Sequence, residues 1–198
     1  VVEQGEGGLL GMALAPDFAT SGTLYLYHTY RDNGTKNRVV RYTLTDRAGA
    51  RGLGAQRIII DNIPGASNHN GGRIAFGPDG KLYITCGDAA NTALAQDRAS
   101  LAGKILRLEP DGAIPADNPF PGSPIYSYGH RNPQGLHVSQ SGTIWSTEHG
   151  PQGGDELNLV RKGLNYGWPL VTFGTEYGAN AWPVSETPGR HDGFELPT

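Results

Sequence analysis

One turn-and-strand unit occurs three times in this chain, and no other feature narrows its fold as much. "APDFATSGTLYLYHTY" begins at Ala15, "GPDGKLYITCGD" at Gly77 and "SQSGTIWSTEHG" at Ser139. Each is a polar turn closed by Gly, then one polar residue, then an apolar or aromatic pair. The pairs are Leu24-Tyr25, Leu82-Tyr83 and Ile144-Trp145, spaced by 58 and then 62 residues. A short apolar run precedes each turn: "LGMAL" from Leu10, "RIAF" from Arg73 and "GLHV" from Gly135. A further strand pattern follows each, starting at Asn37, Gly103 and Asp155. Asp-Gly and Ser-Gly supply positive φ at low cost, and the Leu, Ile, Val, Tyr and Trp runs suit a pleated, half-buried surface.

Repeats of about 40–60 residues that each hold several strands are the mark of propeller blades. The expected fold is all-β: a β-propeller of four-stranded antiparallel blades, with about three blades in this chain against the roughly four to eight of a closed ring. A β-sandwich with hairpins alike by chance is the plainer alternative. Residues 1–198 read as a single partial propeller domain. The start at Val1-Val2 and the stop at Pro197-Thr198 read as a piece of a longer mature protein.

Composition removes other classes. Gly (30) and Pro (14) together make up roughly twice their ordinary share, which argues against a helix bundle. Charged residues are only 18% and apolar residues are spread along the whole length, so disorder and coiled coil are poor readings. The net charge of −3 and the lack of any basic block give no footprint for nucleic acid. No apolar run approaches the roughly 18 residues of a membrane span. Cys86, alone, makes no internal disulfide and reads as a small buried strand residue. The five prolines between Pro110 and Pro124 mark a long irregular excursion, and the tail from Phe173 to Thr198 shows no clear strand.

Polar residues collect in loops at equivalent positions of the repeats. "SNHNGGRI" places His69 between Asn68 and Asn70; Gly87-Asp88 follows the next strand. "GHRNPQGL" holds His130, Arg131, Asn132 and Gln134, and "EHGPQGGDE" holds Glu148, His149, Gly150, Pro151, Asp155 and Glu156. Loops on the same side of equivalent strands converge at one end of a propeller axis, where ligands bind. Each residue also has a bland reading: His69 as a turn residue, Asp88 in an Asx turn, Arg131 in a surface ion pair, Asp155-Glu156 as a solvated strand start. "GEGGLLG" from Gly5 lacks the strand-before, helix-after context of a dinucleotide loop and is set aside as a phosphate cradle.

The strings "GEGGLLGMALAPDF", "NHNGGRIAFGPDGKLYITCGD", "GKILRLEPDGAIPADNPF", "YGHRNPQGL" and "EHGPQGGDELNLVRKGLNYGWP" resemble, in this order, the soluble PQQ-dependent glucose/sorbosone (aldose sugar) dehydrogenase family, a six-bladed propeller. The resemblance runs from about Glu6 to Pro169. It implies PQQ and Ca²⁺ as cofactors, an aldose sugar as substrate, an external electron acceptor and a periplasmic or secreted location. Carried over by position, it implies His69 as the base for the anomeric hydroxyl, Asp88 as the carboxylate supporting it, and Arg131 and Asn132 at the reactive quinone oxygen. The carbonyls of Gly150 and Pro151 match calcium ligands; Glu156 and Tyr166 match a second, structural calcium. Glu6 stands where one branch has a Gln near the cofactor, and Gln96 matches a further cofactor contact behind the loop "AANTALAQ", which is longer here. The family's later blades, which supply a Lys and more Arg residues to the PQQ carboxylates, are not in these 198 residues. The family also holds propellers without turnover, such as Hedgehog-interacting ectodomains. A non-catalytic binding module, or a calcium-dependent lactonase built on Asn68, Asn70 and Asn132, are the alternative functions.

Overall fold

The three repeats become three antiparallel sheets in matching register. The computed structural model describes residues 1–47, 49–175, 177 and 192–198. The first sheet holds β1 (Leu9–Leu14), β2 (Thr23–Arg31), β3 (Thr35–Arg47), β4 (Ala50–Leu53) and β5 (Arg57–Pro64). The second runs β6 (Ile74–Phe76), β7 (Leu82–Cys86), β8 (Lys104–Leu108), β9 (Ile125–Tyr128). The third runs β10 (Pro133–Val138), β11 (Ile144–Glu148), β12 (Glu156–Val160). A single helical turn, α1 (Phe18–Ser21), occupies the first β1–β2 connection.

The repeated pairs superimpose strand for strand. Leu24 faces Leu14, Leu82 faces Phe76 and Ile144 faces Val138 across the first hairpin of each sheet. On the other side the same residues face Tyr42, Leu108 and Val160. The turn glycines Gly22, Gly80 and Gly142 all have φ between 63° and 84°, the left-handed conformation that Gly adopts without steric cost. The sheets are propeller blades with their first strands toward a common axis: β1 lies against β6, and β6 against β10.

Two of the blades depart from the expected four strands. In the first, β3 runs long enough to pair with β5 over one stretch and with the added hairpin strand β4 over another. The third blade has three strands among the described residues. The strandless reading of Phe173–Thr198 falls partly on 176 and 178–191, outside the described residues; within them, Thr175 makes one isolated antiparallel bridge to Gln152. No helix among the described residues is long and apolar enough to cross a membrane.

The core lies between blades rather than inside any one of them. Leu82, Ile84 and Cys86 of β7, with Leu106 and Leu108 of β8, pack on Tyr25, Tyr27, Val39, Ile59 and Ile63 of the first blade. The intervening residues Tyr83 and Ile105 pack on Ile144 and Val160 of the third. Side chains alternate across a strand, so the middle blade is buried on both faces. Every residue of β7 and β8 is buried. Each large aliphatic side chain so buried contributes about 1.5–3 kcal/mol, which holds neighbouring blades together without any helix.

The Pro110–Pro124 excursion is irregular, as its composition implies, and it is tied down by one guanidinium. Arg107 bonds Asp79, Asp117 and Asn118 at 2.8–3.1 Å. The Asn118 amide returns to the carbonyls of Arg107 and Ser123.

Candidate active site

The loop that enters β6 is held by a buried amide. Asn70 Oδ1 accepts from the Asn37 side chain and the Ala66 backbone N–H, and its Nδ2 donates to the Ala66 carbonyl. Tyr27 Oη donates to the Asn70 carbonyl at 2.9 Å. So fixed, the preceding residue His69 adopts φ 56°. A non-glycine residue there costs of order 1–3 kcal/mol and persists only where its surroundings over-determine it.

Close backbone approach then joins three loops. A Cβ at Gly87 would land on the His69 carbonyl oxygen, so only glycine fits. The Ala89 N–H donates to that carbonyl at 3.1 Å, and the Asp88 N–H donates to the Arg131 carbonyl at 2.8 Å. His69, Asp88 and Arg131 therefore meet at one end of the first strands, as the equivalent loop positions require.

Asp88 has no exposed side-chain surface and lies 2.8 Å from His69 Nδ1. Its Oδ1 also accepts from the Ala90 N–H at 2.8 Å, and its Oδ2 from Trp168 Nε1 at 2.7 Å. A carboxylate only accepts, so Nδ1 carries the proton and Nε2 the lone pair. Nε2 has no hydrogen-bond partner among the described residues, and the ring keeps 14% of its surface exposed. The result is a reachable basic nitrogen backed by a dry carboxylate.

Arg131 is also nearly buried. Its Nη1 donates to the His149 carbonyl at 3.0 Å and its Nη2 to Tyr177 Oη at 3.2 Å. The guanidinium sits 5.3 Å from the Trp168 ring centroid and 5.9 Å from that of Tyr177. Its Nε is a buried donor without an acceptor among the described residues. Asn132 Oδ1 accepts from the Gly71 N–H at 3.0 Å. Glu6 Oε2 bridges the Asn132 amide (3.3 Å) and the His69 N–H (2.8 Å), which brings the opening segment into the same cluster.

Gln96 is placed differently. It exchanges two amide hydrogen bonds with Asn165, and its Nε2 also donates to the Trp168 carbonyl at 2.7 Å. Its side chain thereby fastens the 165–168 turn. The loop that carries it is pinned by Lys104, whose ammonium donates to the carbonyls of Leu94, Ala95 and Ala102. Burial lowers the Lys104 pKa to about 8.

The candidate metal residues fall into two groups. Gly150, whose N–H donates to Asp155 Oδ1 at 3.0 Å, begins a turn so tight that a Cβ on it would meet the carbonyl oxygens of Gly153 and Gly154. Half-buried Glu156 stands beside buried Glu148. Asn158 Nδ2 donates to both carboxyls, and the Arg131 N–H donates to Glu148 Oε2. Tyr166 approaches this pair through His130: its ring stacks on that imidazole at 4.6 Å, while its hydroxyl is engaged by the Leu159 carbonyl and the Arg161 N–H. No cluster of three or more His, Cys, Asp or Glu arranged for a metal occurs among the described residues.

Burial pushes Glu148 up to about 7; burial and the neighbouring Glu148 charge push Glu156 up to about 8. Burial drives His130 down to about 3, so its ring stays neutral beside them. A carboxyl pKa raised by folding means the native state holds the proton longer than the unfolded chain, so stability falls as pH rises. Without added divalent metal, the melting temperature is expected to decline from about pH 4.3, the unfolded glutamate value, to about pH 8, most steeply above about pH 6.5, where neutral His130 no longer offsets it. Glu156→Gln should flatten that decline. A wild-type melting curve independent of pH across this window would refute the assignment.

The fold and this cluster define a β-propeller with a polar, partly desolvated site at one end of its axis. The chain belongs to the Glucose / Sorbosone dehydrogenase family, whose sequence profile matches residues 1–198. It is 43% identical over 192 residues to the aldose sugar dehydrogenase YliI of Escherichia coli, covering 92% of this chain and 51% of that protein. It is 37% identical to the quinoprotein glucose dehydrogenase B of Acinetobacter calcoaceticus, covering 84% of this chain and 41% of that one. The structure of the PQQ-bound aldose sugar dehydrogenase of Streptomyces coelicolor superposes with a TM-score of 0.85 at 44% identity, over all of this chain and 54% of the other. The chain spans about half the length of the curated relatives it matches.

Proposed function

We propose that the full-length protein oxidises aldose sugars to lactones with PQQ as acceptor, and that His69 is the general base. The observation that carries this reading is the His69–Asp88 pair: a reachable Nε2 whose tautomer is set by a fully buried carboxylate. Neutral imidazole suits proton removal near pH 7, and the carboxylate stabilises the imidazolium that forms. When bound, PQQ supplies the two-electron acceptor for the hydride that leaves the anomeric carbon. His69 Nε2 takes the hydroxyl proton as the C–H bond breaks and the C=O bond forms. Arg131 would help hold PQQ and stabilise negative charge there, and its buried Nε, without an acceptor among the described residues, fits a group that brings oxygen acceptors. Asn132 and Glu6 hold the His69 loop against the third blade.

Calcium fits the donor chemistry. Hard cations take carboxylate and carbonyl oxygens. The Gly150–Gly154 turn brings the carbonyl oxygens of Gly153 and Gly154 against Gly150, and buried Glu148 and half-buried Glu156 share the Asn158 amide, whose Oδ1 has no partner among the described residues. Gly150 and Pro151 would hold one ion through their carbonyls. Glu156, with a backbone oxygen of Tyr166, would hold the other.

The lactonase reading needs free amide oxygens converging on one cation. Asn70 Oδ1 already accepts two hydrogen bonds, and Asn132 Oδ1 holds the Gly71 N–H. A binding module without turnover has no use for a strained, carboxylate-paired His69. An external electron acceptor and a periplasmic or secreted location belong to the same proposal.

The test is dye-linked oxidation of a panel of aldoses by the full-length protein. Turnover that appears only after PQQ and Ca²⁺ are added supports the proposal. Turnover absent with both present, or lactone hydrolysis without PQQ, overturns it.

A further inference from the structure

The buried carboxylate behind His69 has a third attachment that the base-and-acceptor scheme leaves unused. Trp168 Nε1 donates to Asp88 Oδ2 at 2.7 Å, and among the described residues it is the one donor to that oxygen. The same indole ring lies 5.3 Å from the Arg131 guanidinium carbon. Trp168 thus touches the partner of the proposed base and the proposed charge-stabilising cation at once.

The backbone around the indole is fixed at several points. The Trp168 N–H donates to the Gly129 carbonyl at 2.9 Å, and the Trp168 carbonyl accepts from Gln96 Nε2 at 2.7 Å. Asn165 Oδ1 takes the Gly167 N–H at 3.0 Å, where Gly167 has φ 91°. A side chain mounted this firmly transmits its position to whatever it touches.

We infer that Trp168 is a positioning residue for the oxidation: its N–H locks the Asp88 carboxylate, and through it His69, while its ring face seats Arg131. This rests on the dehydrogenase reading for its catalytic consequence, but not for the geometry. The Asp Cβ–carboxyl torsion has a broad, roughly two-fold profile. Oδ1 is held by His69 and Ala90, and Oδ2 by Trp168, so loss of the indole N–H removes the contact that fixes Oδ2 and loosens the carboxyl torsion. A buried oxygen left unpaired is also costly, which favours rearrangement of the carboxylate that the imidazole leans on.

The test uses the full-length protein and Trp168→Phe, which keeps an aromatic face under Arg131 and removes the N–H. In the cofactor-free protein, the His69 Nδ1 proton should give a protected NMR signal in wild type and exchange with water at least tenfold faster in the variant. In the reconstituted protein, kcat should fall about tenfold while KM for the sugar stays within twofold, because the indole does its work on the base and not on sugar binding. If the Phe variant does not fold, benzothienylalanine placed at 168 by stop-codon suppression exchanges only N–H for sulfur and gives the same two readouts. An unchanged Nδ1 signal overturns the inference whatever the activity. A signal weakened in the variant, where the wild-type protein oxidises no sugar, keeps the positioning link and overturns the dehydrogenase reading instead.

Discussion

His69→Asn is expected to lower kcat for aldose oxidation by about 10²–10⁴, the range a positioned general base supplies, with little loss of folded protein. The choice of Asn matters. His69 sits at φ 56°, where Asn is among the few non-glycine residues that settle readily, whereas Ala would add backbone strain to the loss of the ring. An Asn amide can still donate toward Asp88, so the dry carboxylate is not stripped of a partner, and the variant isolates the imidazole nitrogen. Steady-state kinetics of the reconstituted full-length enzyme, set beside its melting temperature, are the measurement. A variant that turns over at the wild-type rate would remove the imidazole from the mechanism.

Arg131→Met is expected to lower kcat by about 10²–10³, the typical effect of deleting one preorganised donor aimed at developing negative charge. The backbone N–H of residue 131 keeps its bond to Glu148 Oε2, so the loop retains its main anchor. The variant carries a second signature. The Arg131 charge holds Glu148 down against its burial; removing the guanidinium should push that carboxyl higher still. The pH interval over which stability declines should then extend upward, which thermal melts across pH would record. Lost activity with an unmoved pH interval would separate Arg131 from the acid pair; full activity would end its role at the acceptor oxygen.

The blade plan was legible in the sequence because a closing glycine and an apolar pair recur with the same register. The outer strands were not. β5 pairs with β3 through two register shifts, and β9 follows an excursion that has no counterpart in the other blades, so neither repeats in spacing. The site divides similarly. His69, Asp88, Arg131 and Asn132 occupy equivalent loops, and the repeat itself brings them together. Trp168 and Gln96 do their work across 80 and 72 residues of chain, on Asp88 and on Trp168 respectively. Only folding the 165–168 turn against the second blade creates those contacts. The one signal for Trp168 was its place between Gly167 and Pro169, where backbone freedom is unusual on both sides. Tyr166 shows what position in the sequence leaves unsaid: only the folded chain sets its hydroxyl between the Leu159 carbonyl and the Arg161 N–H.

The middle blade has alternate residues of β7 facing different neighbours, and the strand delivers its chain directly into Gly87-Asp88. It works as a party wall. Trimming Ile84 would slacken one tenant and trimming Tyr83 the other, yet either disturbance reaches the same doorway. Ageing or heat that loosens any adjacent pair of blades should therefore be felt first as misalignment of the carboxylate at 88, with catalysis fading before the sheets themselves come apart.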